Sequence, residues 1–353
     1  MKSSILKSDI DLKTQIEAAI GRLIERAPVL FDGNNIVEVK RRSVLTRPFS
    51  HLFWIEAVLE RGVERLIVKI PRPEAHTGPG REEKVRMRLQ KEYETARLIS
   101  ERLAGRSDLK SVKAVAYFEE VPALVLEEVE GMNLRDLIIR KGQWFPSPSA
   151  IEELERACLA AGKWLRGFQE MTRQVGERMS LEPMVEYVDH RLKQLVEFGR
   201  RGLDRNRRLK ILEMFRLARG EISGGEFAIA GVHADFCPSN VVYSGSEVVP
   251  VDFSTFQTGS VYYDLTRFYH QLGLFLNKPS FQESTLNRLR GTFLKGYDEK
   301  LNKDSVLFNL FMVQHLVCHW LGRLKMKEVS FHERLYNRWV CHRHRQALDR
   351  LLI

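Results

Sequence analysis

The chain has 353 residues, of which 44% are hydrophobic and 29% are charged. This balance is typical of globular proteins and excludes both wholesale disorder and collagen. A chain of this length buries a sizeable core as one large domain or as two. Lys and Arg exceed Asp and Glu by 56 to 46, so the net charge of +10 favours ligands that carry phosphate. No nucleic-acid-binding motif accompanies this charge, so we expect no nucleic acid partner.

The sequence also predicts a cytoplasmic protein without a transmembrane segment. The stretch Met1–Glu17 lacks the apolar core of a secretory signal. No uncharged apolar stretch reaches the roughly eighteen residues that are needed to cross a bilayer. The cysteines lack CxxC spacing and are expected to be reduced thiols. They are Cys158, Cys237, Cys318 and Cys341.

The first 130 residues are predicted to be rich in β-structure with one prominent helix. An amphipathic helix is predicted near the start, over Ser8–Ala27, where apolar side chains recur at helical spacing. Two strands surround a turn at Gly62, and a loop rich in Pro and Gly covers Pro71–Gly80. The prominent helix then spans Lys84–Ala104, and a second pair of strands follows over Ser111–Gly131.

After residue 130 the sequence becomes mostly helical. A short β-rich island at Phe227–Phe253 interrupts the helices, which resume at Asp264 and continue to the end. The sequence therefore predicts an α+β fold with two domains, 1–130 and 131–353. The helical candidates before the island are Asn133–Arg140, Ala150–Thr172, Met184–Phe198 and Arg207–Arg219.

The β-rich island carries the densest chemical signal. Apolar runs at 241–243 and 247–251 flank a turn with glycine, which predicts a hairpin. A hairpin returns the chain to its start, so Asn240 and Asp252 are expected side by side, with Asp235 nearby. Carboxylate and amide oxygens of this kind suit Mg²⁺. The remaining Asp235 could orient a substrate hydroxyl and accept its proton, which is the arrangement used in phosphoryl transfer.

This island resembles the aminoglycoside phosphotransferase/choline kinase family of small-molecule kinases. The resemblance lies in the pattern His233-x-Asp235-x4-Asn240, followed twelve residues later by Asp252. Further segments agree in order and spacing: Leu66–Lys69, Leu124–Glu127, Gly131, Tyr263–Phe268 and Phe293–Tyr297. The family implies a protein-kinase-like two-lobed fold. Its small β-rich N-lobe, here 1–130, would bind nucleotide, and its larger mostly helical C-lobe, here 131–353, would bind substrate and carry catalysis.

The resemblance also implies roles for the polar residues. Asp235 would be the catalytic base, and Asn240 and Asp252 would hold Mg²⁺. Lys69 would contact the α- and β-phosphates of ATP, with GTP left open as the alternative nucleotide. Asp264 would support the catalytic loop through hydrogen bonds.

Lys69 should have an ion-pair partner on the helix that follows it. Glu92 fits best, because Leu98 and Ile99 follow it at the apolar spacing of the family. Glu94 is the second choice.

Three further residues complete the expected nucleotide site. Ser50, in the place of the nucleotide loop, is a candidate for a hydroxyl or backbone contact to phosphate. Glu127 and Val129 lie in the strand and hinge where adenine docks in the family.

The sequence departs from the family pattern in two places: no G-x-G-x-x-G loop exists, and Ala234 replaces the usual Gly between His233 and Asp235. Its methyl group restricts the backbone.

The charge distribution bears on the phosphate acceptor. Residues 145–230 contain 13 Asp and Glu against 15 Lys and Arg, and residues 271–353 contain 7 against 14. A site for a polycationic aminoglycoside needs clustered acids, so a neutral or anionic sugar or glycan precursor fits better. The alternatives are an antibiotic kinase, or a nucleotide-binding regulator of the same fold that has lost catalysis. The oligomeric state stays open.

Overall fold

The structure is a computed structural model that describes residues 2–72, 80–106, 108–174, 176, 180–221, 228–326 and 330–352. The chain divides into two compact units. The first unit comprises residues 1–131 and 249–256, and the second comprises residues 132–248 and 257–353. Of the loop predicted at 71–80, residues 73–79 lie outside the described residues.

The first unit is built on an antiparallel sheet with the strand order β1-β2-β3-β5-β4. The predicted turn at Gly62 joins β2 to β3, and its φ of 110° explains why glycine stands there. The register places Lys69 of β3 between Leu52 of β2 and Leu124 of β5, in the middle of the sheet. The strands are β1 (Ile36–Thr46), β2 (Ser50–Leu59), β3 (Gly62–Pro71), β4 (Ala114–Phe118) and β5 (Ala123–Glu127).

Helix α1 (Lys2–Leu30) provides the core on one face of this sheet. The predicted amphipathic helix is confirmed and is longer at both ends. Its buried residues Ile16 and Leu23 pack in one cluster with Leu66 and Val68 of β3. Because side chains alternate along a strand, Lys69 points to the opposite face of the sheet.

Helix α2 (Arg81–Leu103) packs against β4 and β5. Gly105 follows it with a φ of 93°, which agrees with the predicted end of the helix at Ala104. One stripe of the helix is buried, at the spacing of an amphipathic helix. The stripe consists of Val85, Leu89, Glu92, Ala96, Ile99 and Leu103.

The second unit is mostly helical, so the predicted α+β fold class is confirmed. None of the helices among the described residues is long and apolar enough to span a membrane. The helices are α3 (Leu134–Lys141), α4 (Pro148–Met171), α5 (Glu182–Glu197), α6 (Arg205–Glu221), α7 (Tyr262–Gly273), α8 (Glu283–Tyr297), α9 (Val306–Lys325) and α10 (Phe331–Leu351).

Short strands accompany the helices, and those between residues 229 and 250 lie in the predicted β-rich island. They are β6 (Met132–Asn133), β7 (Ile229–Val232), β8 (Val241–Tyr243), β9 (Val248–Pro250) and β10 (Gln257–Ser260). β6 pairs with β8, and β7 pairs with β10, both antiparallel. The turn between β8 and β9 has Gly245 at a φ of 104°, so the predicted turn with glycine is confirmed.

Two glycines allow α4 and α8 to approach each other closely. A Cβ atom added to Gly162 would lie 2.2 Å from the carbonyl oxygen of Phe293. A Cβ atom added to Gly296 would lie 2.2 Å from the carbonyl oxygen of Leu159. Nearby, the Tyr297 hydroxyl donates to Gln169 Oε1 at 2.6 Å. The glycine in the Phe293–Tyr297 segment is therefore required by helix packing.

We expect Gly296→Ala to lower the free energy of unfolding by about 1–3 kcal/mol, because the helices must separate to admit the methyl group. Gly291→Ala is the matched control on α8, since a Cβ atom there meets nothing within 4 Å. Alanine favours a helix over glycine by up to about 1 kcal/mol, so the control should be neutral or stabilising. Urea unfolding measures both variants, and equal effects would contradict the packing argument.

Candidate active site

The first unit holds a cluster of one lysine and two carboxylates. Lys69 Nζ lies 2.9 and 2.7 Å from the two carboxylate oxygens of Glu92. It also lies 3.2 Å from Asp252 Oδ1. Asp252 belongs to the segment 249–256 of this unit, and its Oδ1 accepts a hydrogen bond from Ser254 Oγ at 2.8 Å. The structure therefore brings together three residues that the sequence selects from widely separated positions.

Burial sets the electrostatics of this cluster. Burial alone would lower the pKa of Lys69, but Glu92 and Asp252 outweigh it and raise that pKa above its usual range. The lysine therefore keeps its positive charge. Burial raises the pKa of Glu92 to about 7, although Lys69 acts in the opposite direction. A fixed positive charge of this kind is suited to binding phosphate oxygens.

Glu92, and not Glu94, is the partner of Lys69. Glu92 is 2% exposed and lies within the buried stripe of α2, whereas Glu94 is exposed and accepts a hydrogen bond from Gln90 at 2.8 Å. Of the two apolar residues that favour Glu92 in the sequence, Ile99 belongs to the buried stripe, whereas Leu98 is 41% exposed. The helical period of the stripe is the correct signal.

We expect Glu92→Gln to destabilise the protein by about 2 kcal/mol or more, because Lys69 loses the charge that compensates its burial. Glu94→Gln is the matched control one half-turn away, and an exposed change of this kind should stay within about 0.5 kcal/mol. Urea unfolding at neutral pH compares the two variants. A Glu92→Gln protein as stable as the control would show that the ion pair contributes nothing.

Asp252 adopts the left-handed backbone conformation, with a φ of 69°. Asp and Asn tolerate this region better than most residues, because their short polar side chains bond locally. Backbone strain of this kind concentrates at functional sites.

Ser50 is the first residue of β2 and is 7% exposed. Its carbonyl oxygen accepts a hydrogen bond from the backbone N–H of Arg47 at 2.8 Å, which closes the turn between β1 and β2. The exposed residues of this turn are Arg47, Pro48 and Phe49. A ligand can therefore contact the exposed residues of the turn more readily than the buried Ser50 hydroxyl.

The predicted hinge follows β5. Glu127 ends the strand, and its side chain pairs with Lys113 at 3.1 Å. Glu128 is also engaged, because Arg42 donates a hydrogen bond to its carboxylate. Val129 comes next and is partly exposed. Both acidic side chains are therefore paired with cations, next to the segment where the resemblance predicts the base of the nucleotide.

The second unit holds the remaining predicted residues, Asp235 and Asn240, in the loop after β7. A 3₁₀ turn at Pro238–Asn240 curls the loop back on itself. Asn240 Nδ2 donates to Asp235 Oδ2 at 2.9 Å and to the Asp235 carbonyl oxygen at 3.1 Å. Asn240 thus fixes one oxygen of the Asp235 carboxylate.

Arg267 fixes the other oxygen and was missed as a site residue by the sequence reasoning. Its Nε donates to Asp235 Oδ1 at 3.1 Å, and its Nη2 donates to the same oxygen. Arg267 lies on α7, three residues after Asp264. Residues three apart on a helix share a face, so the Asp264–Arg267 spacing is the sequence signal that could have found it.

Asp264 anchors the loop that carries Asp235 from the start of α7. Its carboxylate is fully buried and accepts hydrogen bonds from the backbone N–H groups of His233 at 2.6 Å and Ala234 at 3.0 Å. Burial raises the pKa of Asp264 to about 7, against the lowering by these N–H groups. Ala234 has a φ of 63°, in the region that favours glycine, which explains why glycine is usual at this position.

Behind α7 lies a cluster of four histidines that the sequence did not single out as a group. The rings of His315, His319 and His344 lie 6.1, 5.9 and 6.0 Å, respectively, from the ring of His270. Burial lowers the pKa of His315 and His344 to about 3 and that of His319 to about 4. Burial and the neighbouring histidines also lower the pKa of His270. All four are therefore neutral near pH 7.

These histidines should make the protein less stable in acid. The unfolded chain titrates its histidines near pH 6.5 and so binds more protons than the native state between about pH 6.5 and about pH 4. We expect the melting temperature to fall as the pH drops through this window. The fall should be smaller in His344→Gln than in the exposed control His342→Gln. Equal pH dependence in the two variants would exclude the buried cluster as its source.

Comparison with known proteins gives the family. The family model described as "Phosphotransferase enzyme family" (APH) matches residues 54–301, which is more than half of the chain. The chain therefore belongs to this family, and the resemblance seen in the sequence is confirmed. A comparison with curated protein sequences finds no significant match.

Solved structures of small-molecule kinases share the fold. Choline kinase from Cryptosporidium parvum is 13% identical with a TM-score of 0.57, over 95% of this chain and 96% of that chain. A thermostable mutant of aminoglycoside phosphotransferase APH(4)-Ia, in complex with ADP and hygromycin B, is 11% identical with a TM-score of 0.56, over 93% and 98%. Plasmodium vivax ethanolamine kinase is 15% identical with a TM-score of 0.54, over 89% and 83%. These likenesses confirm the kinase-like fold.

Proposed function

We propose that the protein is a small-molecule kinase that transfers the γ-phosphoryl group of ATP to a hydroxyl of a sugar or glycan precursor. The observation that supports this most directly is the fixed carboxylate of Asp235, held on one oxygen by Asn240 and on the other by Arg267. Membership of the phosphotransferase enzyme family supports the reaction class. GTP is the alternative phosphate donor.

Asp235 is proposed as the catalytic base. A hydroxyl group needs a hydrogen-bond acceptor that orients it and receives its proton as the new phosphate bond forms. The bonds from Asn240 and Arg267 restrict rotation of the carboxylate, so its lone pairs have a fixed direction. Positioning of this kind provides much of the catalysis in phosphoryl transfer.

Lys69 is proposed to bind the α- and β-phosphates. Its burial and its two carboxylate neighbours keep it charged and fixed in position. Glu92 then acts as a positioning residue through Lys69. The turn that contains Ser50 is proposed to lie over the phosphates, and Glu127 and Val129 are proposed to contact the base.

The donor set fits Mg²⁺. Because Asn240 bonds Asp235 through Nδ2, its amide oxygen is the atom left to bind a cation. Asp252 adds a carboxylate, and Mg²⁺ is commonly held by one or two carboxylates together with phosphate oxygens and water. When bound, the ion would neutralise negative charge on the phosphates. Asn240 and Asp252 are therefore the proposed metal ligands.

The first test measures nucleotide binding through the melting temperature. Mg²⁺–ATP should raise the melting temperature of the wild type, since a ligand of the native state stabilises it by mass action. Mg²⁺–GTP, tested in parallel, shows which base is preferred. The shift should be lost in Asp252→Ala and kept in Asp304→Ala, a control at an exposed aspartate. No shift with either nucleotide would refute the kinase assignment.

The second test separates binding from chemistry. Asp235→Asn should keep the nucleotide-dependent shift but lower turnover, measured as ADP release with a panel of hydroxyl compounds, by at least about a hundredfold. Turnover at the wild-type level in Asp235→Asn would show that another group is the base. Nucleotide binding without turnover in the wild type would favour the regulator of the same fold that lacks catalysis.

A further inference from the structure

Next to Asp235, the second unit carries a surface of cationic and aromatic side chains, which we call the Arg191 surface. It is formed by Tyr187 and Arg191 of α5, Tyr263 and Arg267 of α7, and Cys318 of α9. Tyr187 is exposed, and the other four side chains are partly exposed. The surface is therefore accessible to a ligand.

Direct contacts join α5 to α9 on this surface. The thiol of Cys318 donates to the hydroxyl oxygen of Tyr187 at 3.4 Å. The guanidinium carbon of Arg191 lies 4.9 Å from the centroid of the Tyr187 ring. Stacking on an aromatic ring fixes the plane of a guanidinium group, which then presents its N–H groups in a set direction.

Contacts also join α9 to α7 and lead back to Asp235. The ring of His315, three residues before Cys318 on α9, lies 5.2 Å from the ring of Tyr263. Tyr263 is one turn before Arg267 on α7, and Arg267 bonds the Asp235 carboxylate. A series of contacts, which includes the buried ring of His315, therefore connects the proposed base with Arg191.

Arg191 has no carboxylate partner among the described residues, and its Nε is buried without a hydrogen bond. Other cations of this region are compensated, because Lys193 and Arg208 both pair with Asp189, at 2.9 and 2.6 Å. A buried N–H donor without an acceptor costs free energy. Because the Arg191 side chain as a whole is partly exposed, an anionic ligand can reach it and balance its charge. Within the described parts of the chain, Arg191 is therefore a cation without a paired carboxylate.

The local charge is positive around Cys318. Burial raises the pKa of the Cys318 thiol, whereas the Tyr187 hydrogen bond and the charges of Arg191 and Arg267 lower it. Both guanidinium groups therefore act on the same point of the surface. A cationic acceptor such as choline or an aminoglycoside would be repelled there.

We propose that the acceptor of this kinase carries a phosphate or carboxylate group in addition to its reacting hydroxyl, and that Arg191 binds this anion. The inference rests on the proposed function. It narrows the expected acceptor from a neutral or anionic compound to an anionic one. The reacting hydroxyl lies at Asp235, and the anionic group lies on the Arg191 surface. A guanidinium group binds either anion through paired N–H donors.

The test uses the full-length protein saturated with Mg²⁺ and the non-hydrolysable ATP analogue AMP-PNP, so that anions cannot occupy the nucleotide site. Glucose 6-phosphate, glucose and kanamycin are then titrated by calorimetry as anionic, neutral and cationic probes. We expect glucose 6-phosphate to bind more tightly than glucose, and kanamycin to bind least. Arg191→Gln should weaken glucose 6-phosphate binding by about tenfold or more, since a charge-assisted bond is lost.

Two variants make the test specific. Lys193→Gln removes a neighbouring cation of α5 that is paired with Asp189, and it should leave glucose 6-phosphate binding unchanged. Arg191→Lys keeps the charge and should recover part of the affinity. In ADP-release assays, Arg191→Gln should raise the KM for the anionic acceptor and leave the KM for ATP unchanged.

The proposal is overturned if glucose or kanamycin binds as tightly as glucose 6-phosphate. It is also overturned if the Arg191→Gln variant binds glucose 6-phosphate as tightly as the wild type does. A nucleotide-loaded wild type that does not bind glucose 6-phosphate would overturn it as well. Failure of the proposed function has a different result. In that case AMP-PNP itself does not bind, and the Arg191-dependent affinity for glucose 6-phosphate remains measurable in its absence.

Discussion

The buried carboxylate of Asp264 is the constraint on which the loop that carries Asp235 depends. Its bonds to the backbone N–H groups of His233 and Ala234 tie the loop after β7 to the first turn of α7. Because α7 is rigid, the same anchor sets where Arg267 meets Asp235. The left-handed conformation of Ala234 is maintained by these bonds, since an L-residue with a side chain avoids that region otherwise.

The first unit uses the same physical device. Glu92 occupies a position in the buried stripe of α2 and fixes Lys69, as Asp264 on α7 fixes the loop that carries Asp235. In both cases a helix contributes a buried carboxylate whose burial raises its pKa to about 7 and whose partners oppose that effect. A buried acid is costly to leave without partners, so each one specifies a single arrangement of its neighbours.

Several residues became interpretable only through packing. Gly296 permits the close approach of α4 and α8. The Gln169 side chain accepts a hydrogen bond from Tyr297 and donates one to the Val261 carbonyl oxygen at 2.9 Å. Arg191 offers no motif in the sequence. Its significance lies in the lack of a carboxylate partner among the described residues, which the order of residues along the chain does not reveal.

The sequence by itself determined the α+β class, the family, most helices and strands, and the polar residues of the proposed site. Periodicity and short spacing carry that information, because helices, hairpins and motifs are local. Only the tertiary structure decided that Glu92 bonds Lys69, that Arg267 fixes Asp235, and that Arg191 has no carboxylate partner among the described residues. Each of these depends on side chains far apart in sequence, and the burial that sets their energies exists only in the folded chain.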